Sequence, residues 1–136
     1  MVEAAALQHD MFEAIGARDF EKIRDLYHPE YTYRDADGSE HKGADAGVAV
    51  AEMYTKAFPD LEFELVSQYA VNDHVSVMEI VVRGTHEGDL EGLAPTGNRV
   101  EVFVCNVVEC RNGLIWRERD YFDNLSIMRQ LGVIDT

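Results

Sequence analysis

Apolar side chains recur at helical spacing as far as Pro59 and at a spacing of two beyond it. Residues 61–71, 75–86, 100–110 and 114–122 all alternate, with the turn pairs Asn72-Asp73 and Asn112-Gly113 between them. That pattern predicts long antiparallel strands joined partly by hairpins. Ahead of Pro59, Leu7, Met11, Ala14 and Ile15 share one face of a helix expected over residues 2–17, with Gly16 as its stop. Asp19 caps a second run, 20–27, that carries Phe20, Ile23 and Tyr27 on one stripe and ends before Pro29. Residues 31–35 read as a short strand halted by the turn pair Asp37-Gly38. A third helix is expected over 43–58, and Asp123 caps a last one over 124–131 that Gly132 ends.

The order α-α-β-α-β-β-β-β-α, without internal repeats, places helices early and a long sheet late. It predicts an α+β architecture in which a strongly bent, mainly antiparallel sheet wraps around the N-terminal helices. With 136 residues and 46% hydrophobic content, the whole of 1–136 is expected to form one domain with a real core. Such a cone has an open, mostly apolar mouth, and its outer sheet face needs polar residues or a partner.

Charge narrows the partners. Twelve basic against 26 acidic residues give a net charge of −14, the wrong sign for a nucleic-acid backbone or an anionic membrane surface. The N-terminus lacks a basic leader region, and no run approaches the ~20 apolar residues of a membrane span. Cys105 and Cys110 are expected on opposite faces of one strand, which argues against a disulfide. A reduced, cytoplasmic protein is the expectation.

Within residues 114–122, one face collects Leu114, Trp116, Glu118, Asp120 and Phe122. If that face is concave, Asp120 stands between Trp116 and Phe122 with little water, and its pKa rises toward the range useful for proton transfer. The other reading is a surface ladder in which Glu118 and Asp120 pair with arginines across strands. On the preceding strand Asn106 is the one polar member of the stripe Val102, Val104, Asn106 and Val108. It is either a donor to an oxyanion or a structural amide satisfied by backbone or water. Tyr33 and Asp35 point to one side of the short strand, although Asp35 also suits bonding to the backbone of the adjacent turn.

Five scattered histidines show no metal-ligand spacing, and no phosphate-cradling glycine loop or serine or cysteine nucleophile motif occurs. Neither a metal nor another cofactor is therefore expected.

Gly84-Thr85-His86-Glu87-Gly88, Ala94-Pro95-Thr96-Gly97 and Arg119-Asp120-Tyr121-Phe122-Asp123, followed by Arg129-Gln130-Leu131-Gly132, resemble the SnoaL-like branch of the nuclear transport factor 2-like superfamily over nearly the whole chain. The resemblance implies a cone-shaped α+β barrel, usually dimeric. Its hydrophobic pocket would serve polyketide ring closure, steroid isomerisation, epoxide hydrolysis or plain ligand binding. By the same resemblance, Asp120 matches the catalytic aspartate of polyketide cyclases and limonene epoxide hydrolases. Asn106 falls where the cyclases carry a pocket histidine and ketosteroid isomerases a protonated aspartate, so an amide replaces an acid. Tyr33 resembles the water-positioning tyrosine of the epoxide hydrolases, and Asp35 matches their asparagine and the proton-shuttling base of the isomerases. The Arg-x-Asp pair of the epoxide hydrolases becomes, by hairpin register, Glu79 and Val81.

These readings converge on a cofactor-independent acid–base enzyme acting on a small hydrophobic carbonyl compound. Asp120, Asp35, Asn106 and Tyr33 are its expected catalytic residues, and Trp116, Phe122, Glu118, Val102 and Val104 are expected around the substrate. The alternatives are a non-catalytic binder of a small hydrophobic molecule and an epoxide hydrolase-like enzyme. The apolar strip Phe103, Cys105 and Val107, between Glu101 and Glu109, is expected to be covered in a homodimer.

Overall fold

The computed structural model describes residues 3–135, so Val2, where the first helix was expected to begin, lies outside them. The helices are α1 (Glu3–Gly16), α2 (Phe20–Leu26), α3 (Ala44–Ala57) and α4 (Asn124–Gln130). The strands are β1 (Tyr27–Arg34), β2 (Glu40–Lys42), β3 (Glu62–Ala70), β4 (Val75–Thr85), β5 (Arg99–Arg111) and β6 (Leu114–Tyr121). All six form one sheet in the order β2-β1-β6-β5-β4-β3. Every neighbouring pair is antiparallel except β1 and β6, which run parallel. The sheet is open and curled, with α1 packed against β3–β6 and α3 against β1 and β2.

Both expected side-chain caps form: Asp19 accepts from Lys22 N and Asp123 from Ser126 N. Along β5 the alternation holds without a break, and Val100, Val102, Val104, Asn106, Val108 and Cys110 are all buried inward. Cys110 is thus inward while Cys105 lies on the other face, and both are free thiols. Against this wall pack Met11 and Ala14 of α1 and Ile23 of α2, each at most 2% exposed. Full burial of a side chain such as Ile23 stabilises by about 2 kcal/mol.

Two local departures from simple periodicity set the site. First, β1 begins at Tyr27 rather than Tyr31, because the Tyr27 ring turns into the core and stacks on Tyr31 with centroids 3.8 Å apart. A register shift between Tyr27 and Thr32 takes up Pro29. Second, β6 carries a bulge: Glu109 pairs with Arg117 and Cys110 with Ile115, which leaves Trp116 unpaired. Ile115 is therefore fully buried, and Trp116 is turned out under Arg111, whose guanidinium lies 3.5 Å from its ring centroid. Among the described residues no helix is long and apolar enough to cross a membrane.

Candidate active site

A cavity of about 390 Å³ lies between the inner face of the sheet and the helices. Its wall is mostly apolar, with Phe12, Phe58, Phe63, Ile80, Val102 and Val104 among its members, and Leu90 and Leu93 close one side from the β4–β5 connection. Phe122 and the carboxyl groups of Asp35, Glu118 and Asp120 also face it. Of the residues expected around a substrate, Val102, Val104, Phe122 and Glu118 line this cavity. Trp116 does not, because the bulge removes it from this face.

The polar centre is built at the parallel seam, which pairs Tyr33 with Glu118 and Arg34 with Arg119. Tyr31 and Tyr33 of β1 thereby meet Glu118 and Asp120 of β6, 87 residues away along the chain. Tyr31 donates its hydroxyl to Glu118 Oε1 at 2.5 Å, and Tyr33 donates to Asp120 Oδ2 at 2.5 Å. From β5, Asn106 Nδ2 donates to Glu118 Oε2 at 2.8 Å and to Asp120 Oδ1 at 2.7 Å. Gln8 of α1 completes the amide, donating to Asn106 Oδ1 at 2.9 Å and to its backbone carbonyl at 3.0 Å. Asn106 is fully buried and both its polar side-chain atoms are engaged, so it stands behind the two acids and does not itself line the cavity. The direct oxyanion donor considered from the sequence is replaced by a residue that holds the acids in place.

Asp35 faces the same cavity from the end of β1. Its Oδ2 accepts from the hydroxyl of Tyr54 on α3 at 3.2 Å, and its Oδ1 accepts from Ala36 N at 2.7 Å, so both the cavity role and the local backbone role are met by one carboxyl.

Burial dominates the electrostatics. It pushes Glu118 well above the ordinary carboxylate range, and the charge of Asp120 adds to that, against the bonds from Tyr31 and Asn106. Asp120 is raised by burial too, against the hydrogen bonds of Asn106 and Tyr33 to its ionised form. Burial, and then the charge of Asp120, drives the Tyr33 phenol far above its usual value, so that it remains a donor. Tyr54 is raised in the same way, by burial and then by Asp35. No ion pair among the described residues reaches Glu118 or Asp120, which rules out the arginine ladder.

Sequence reasoning missed Gln8 and Tyr54. Gln8 had a signal, as a polar residue four after Ala4 and three before Met11 on the buried stripe of α1. Tyr54 had none, since its spacing is that of an ordinary core aromatic. The strand positions 79 and 81, assigned to an epoxide hydrolase pair by hairpin register, lie on the outer face, where they oppose Cys105 and Phe103. The residues of β4 that line the cavity are Ile80 and Val82, with no charge between them. Among the described residues one group could share a cation, His9, Asp10 and Glu13 on the surface of α1, and none of the three lines the cavity.

An open, curled sheet closing an apolar cavity over buried carboxyl groups defines a nuclear transport factor 2-like α+β protein. The profile of the SnoaL-like polyketide cyclase family matches residues 5–131, and the chain belongs to that family. The structure is similar to that of AclR, a proposed hydroxylase from Streptomyces galilaeus, with a TM-score of 0.85, 28% identity, and coverage of 100% of this chain and 85% of that one. A proposed SnoaL-like polyketide cyclase from Jannaschia sp. CCS1 gives a TM-score of 0.88 at 19% identity over 98% of this chain and 94% of that one. An LEH-like epoxide hydrolase from M. tuberculosis gives 0.75 at 20% identity, over 96% and 90%. No curated protein matches the sequence.

Proposed function

We propose that this chain is a cofactor-independent acid–base enzyme that moves a proton at the carbon next to a carbonyl of a small hydrophobic substrate, as in an aldol cyclisation or a double-bond isomerisation. The observation that carries the reading is Asp120: a carboxyl raised by burial, held by two donors, on the wall of an apolar cavity. A base with an elevated pKa is better matched to a carbon acid than an ordinary aspartate. Asp120 takes the proton from carbon, and the negative charge passes from its carboxylate to the enolate oxygen. Tyr33 then loses its charged acceptor, and its hydroxyl is free to turn to the new oxyanion. The same proton leaves Asp120 for another position on the substrate, with Asp35, hydrogen-bonded by Tyr54, as the second carboxyl that can relay it, so both acids return to their starting state. Asn106 fixes where Asp120 sits. The epoxide hydrolase reading loses support because β4 offers the cavity no arginine or acid.

The test is Asp120→Asn, assayed over polyketide, steroid and epoxide substrates. Turnover should fall by about 10²–10⁴-fold, the usual contribution of a general base, while binding of a ketone-like ligand persists. Tight binding without turnover by the unaltered protein would make it a binder, and turnover unchanged by the substitution would remove Asp120 from the mechanism. We also propose a homodimer through the outer sheet face, where Phe103 is 71% exposed and Tyr69 and Tyr121 lie in the open as well. Sedimentation should show a dimer at micromolar concentration, which Phe103→Glu dissociates; a monomeric parent protein refutes it.

A further inference from the structure

Two carboxyl groups two residues apart on one face of β6 are joined by a single amide nitrogen, since Asn106 Nδ2 gives one hydrogen to Glu118 and the other to Asp120. The titratable groups around this pair are Tyr27, Tyr31, Tyr33 and Asp35 from β1 and its end, Tyr54 from α3 and Cys105 from β5, with no cation among them. From β5 the neighbour is Asn106, and from α1 it is Gln8, neither of which ionises. Two bare carboxylates held this close in a water-poor site repel each other strongly, so the pair retains one proton at pH values where an exposed pair has lost both.

The surroundings of the two acids differ. Each acid accepts one hydrogen from Asn106 Nδ2 and one from a tyrosine hydroxyl, but Asp120 is only half-buried on the cavity wall and can keep its charge solvated there. Glu118 is 6% exposed and meets the Tyr31 hydroxyl at 2.5 Å. The Tyr31 ring is stacked on Tyr27 with centroids 3.8 Å apart, and the Tyr27 hydroxyl donates to Met11 Sδ at 3.8 Å, so Glu118 faces two buried phenols and not water. A neutral Glu118 can donate to the Tyr31 hydroxyl oxygen at this distance, while its other oxygen still accepts from Asn106.

We infer that Glu118 is the resident proton holder of the site: it stays a neutral acid in the resting protein so that its neighbour Asp120 stays ionised and ready to act as base. Glu118 is on this reading a positioning residue that works through Asp120, and the role rests on the function proposed above for Asp120. Glu118 is buried where Asp120 is half-buried, and burial and then the charge of Asp120 raise its pKa, which agrees with the assignment. When Asp120 takes a proton from carbon, that proton leaves again for the substrate, and the one on Glu118 does not exchange places with it.

Infrared spectroscopy of the unaltered full chain at neutral pH tests this without a substrate. The carbonyl stretch of a neutral carboxylic acid should be present, and it should shift when glutamate carboxyls carry a heavy carbon isotope but not when aspartate carboxyls do. In Asp120→Asn the band should weaken, because the neighbouring charge that opposes ionisation of Glu118 is gone, and in Glu118→Gln, which mimics the neutral acid, it should vanish. A band that follows the aspartate label would put the proton on Asp120, and no band at all would mean that both groups are ionised; either result overturns the inference. As a second reading, the pH profile of kcat/KM should lose its upper ionisation in Glu118→Gln and keep its lower one. The two hypotheses fail separately: turnover surviving in Asp120→Asn sinks the catalytic reading, whereas the isotope-shifted band reports on Glu118 whatever the protein does.

Discussion

Asn106 is 0% exposed and both polar atoms of its side chain are engaged, with Nδ2 shared between two acids and Oδ1 accepting from Gln8. Replacing it by leucine keeps the branched shape and removes three polar contacts at once, leaving Gln8 and both carboxyls each short of a partner. Unfolding by urea should therefore show a loss of about 3 kcal/mol, the scale of a broken buried network. A loss under about 1 kcal/mol would mean that these bonds are not maintained in solution. At this scale the sequence was informative about which side chains matter and less so about what each one does. Alternation alone put Asn106, Glu118 and Asp120 on inward faces, because a residue's side in a regular strand follows from counting by two. What Asn106 bonds to could not be counted, since Gln8 comes from a helix 98 residues away. Tyr54 illustrates the same limit, its hydroxyl finding Asp35 only once α3 has packed across β1.

Elements fail the counting rule where a strand gains a residue. The bulge in β6 leaves the pattern of Leu114, Trp116 and Glu118 looking continuous while Trp116 changes sides, and the arginines Arg111 and Arg117 on its ring stabilise it there. The parallel seam between β1 and β6 was equally silent, because it joins strands that four other strands and a helix separate in sequence. Packing at that seam also fixes a helical glycine. A Cβ on Gly47 of α3 would lie 2.8 Å from Tyr27 Cε2 and closer still to Tyr31 Cε1, and the two rings are stacked and buried, so neither can yield. Alanine should gain about 1 kcal/mol from helix propensity and lose about 1–3 kcal/mol from overpacking. The net sign expected for Gly47→Ala is destabilising, and because Tyr31 holds Glu118, the substitution should also perturb the titration of that acid. A higher melting temperature in Gly47→Ala would show that the tyrosine pair is loose.

At the scale of the whole molecule, the net charge of −14 and the buried acid pair act on stability in the same direction. The expected layered architecture was legible from the change of period at Pro59, but the cavity was not, since its volume depends on how tightly the open sheet curls over α1 and α3. Folding buries Glu118 and Asp120 in that cavity wall and raises both above their values in the unfolded chain. In the interval between the unfolded and folded values the native state binds more protons than the unfolded state, so stability falls as pH rises through it. Each group that titrates in the interval contributes a slope of about 1.4 kcal/mol per pH unit, which flattens once both states have lost the proton. Repulsion among the remaining surface acids adds to the decline. Urea midpoints followed upward from the ordinary carboxylate range should therefore decrease with pH in the parent protein. Glu118→Gln removes the more strongly raised group, and its curve should be flatter than the parent's on the alkaline side of that interval. Parallel curves for the two proteins would mean that Glu118 titrates in the folded chain as it does in the unfolded one, and that the cavity floor is wetter than its geometry implies.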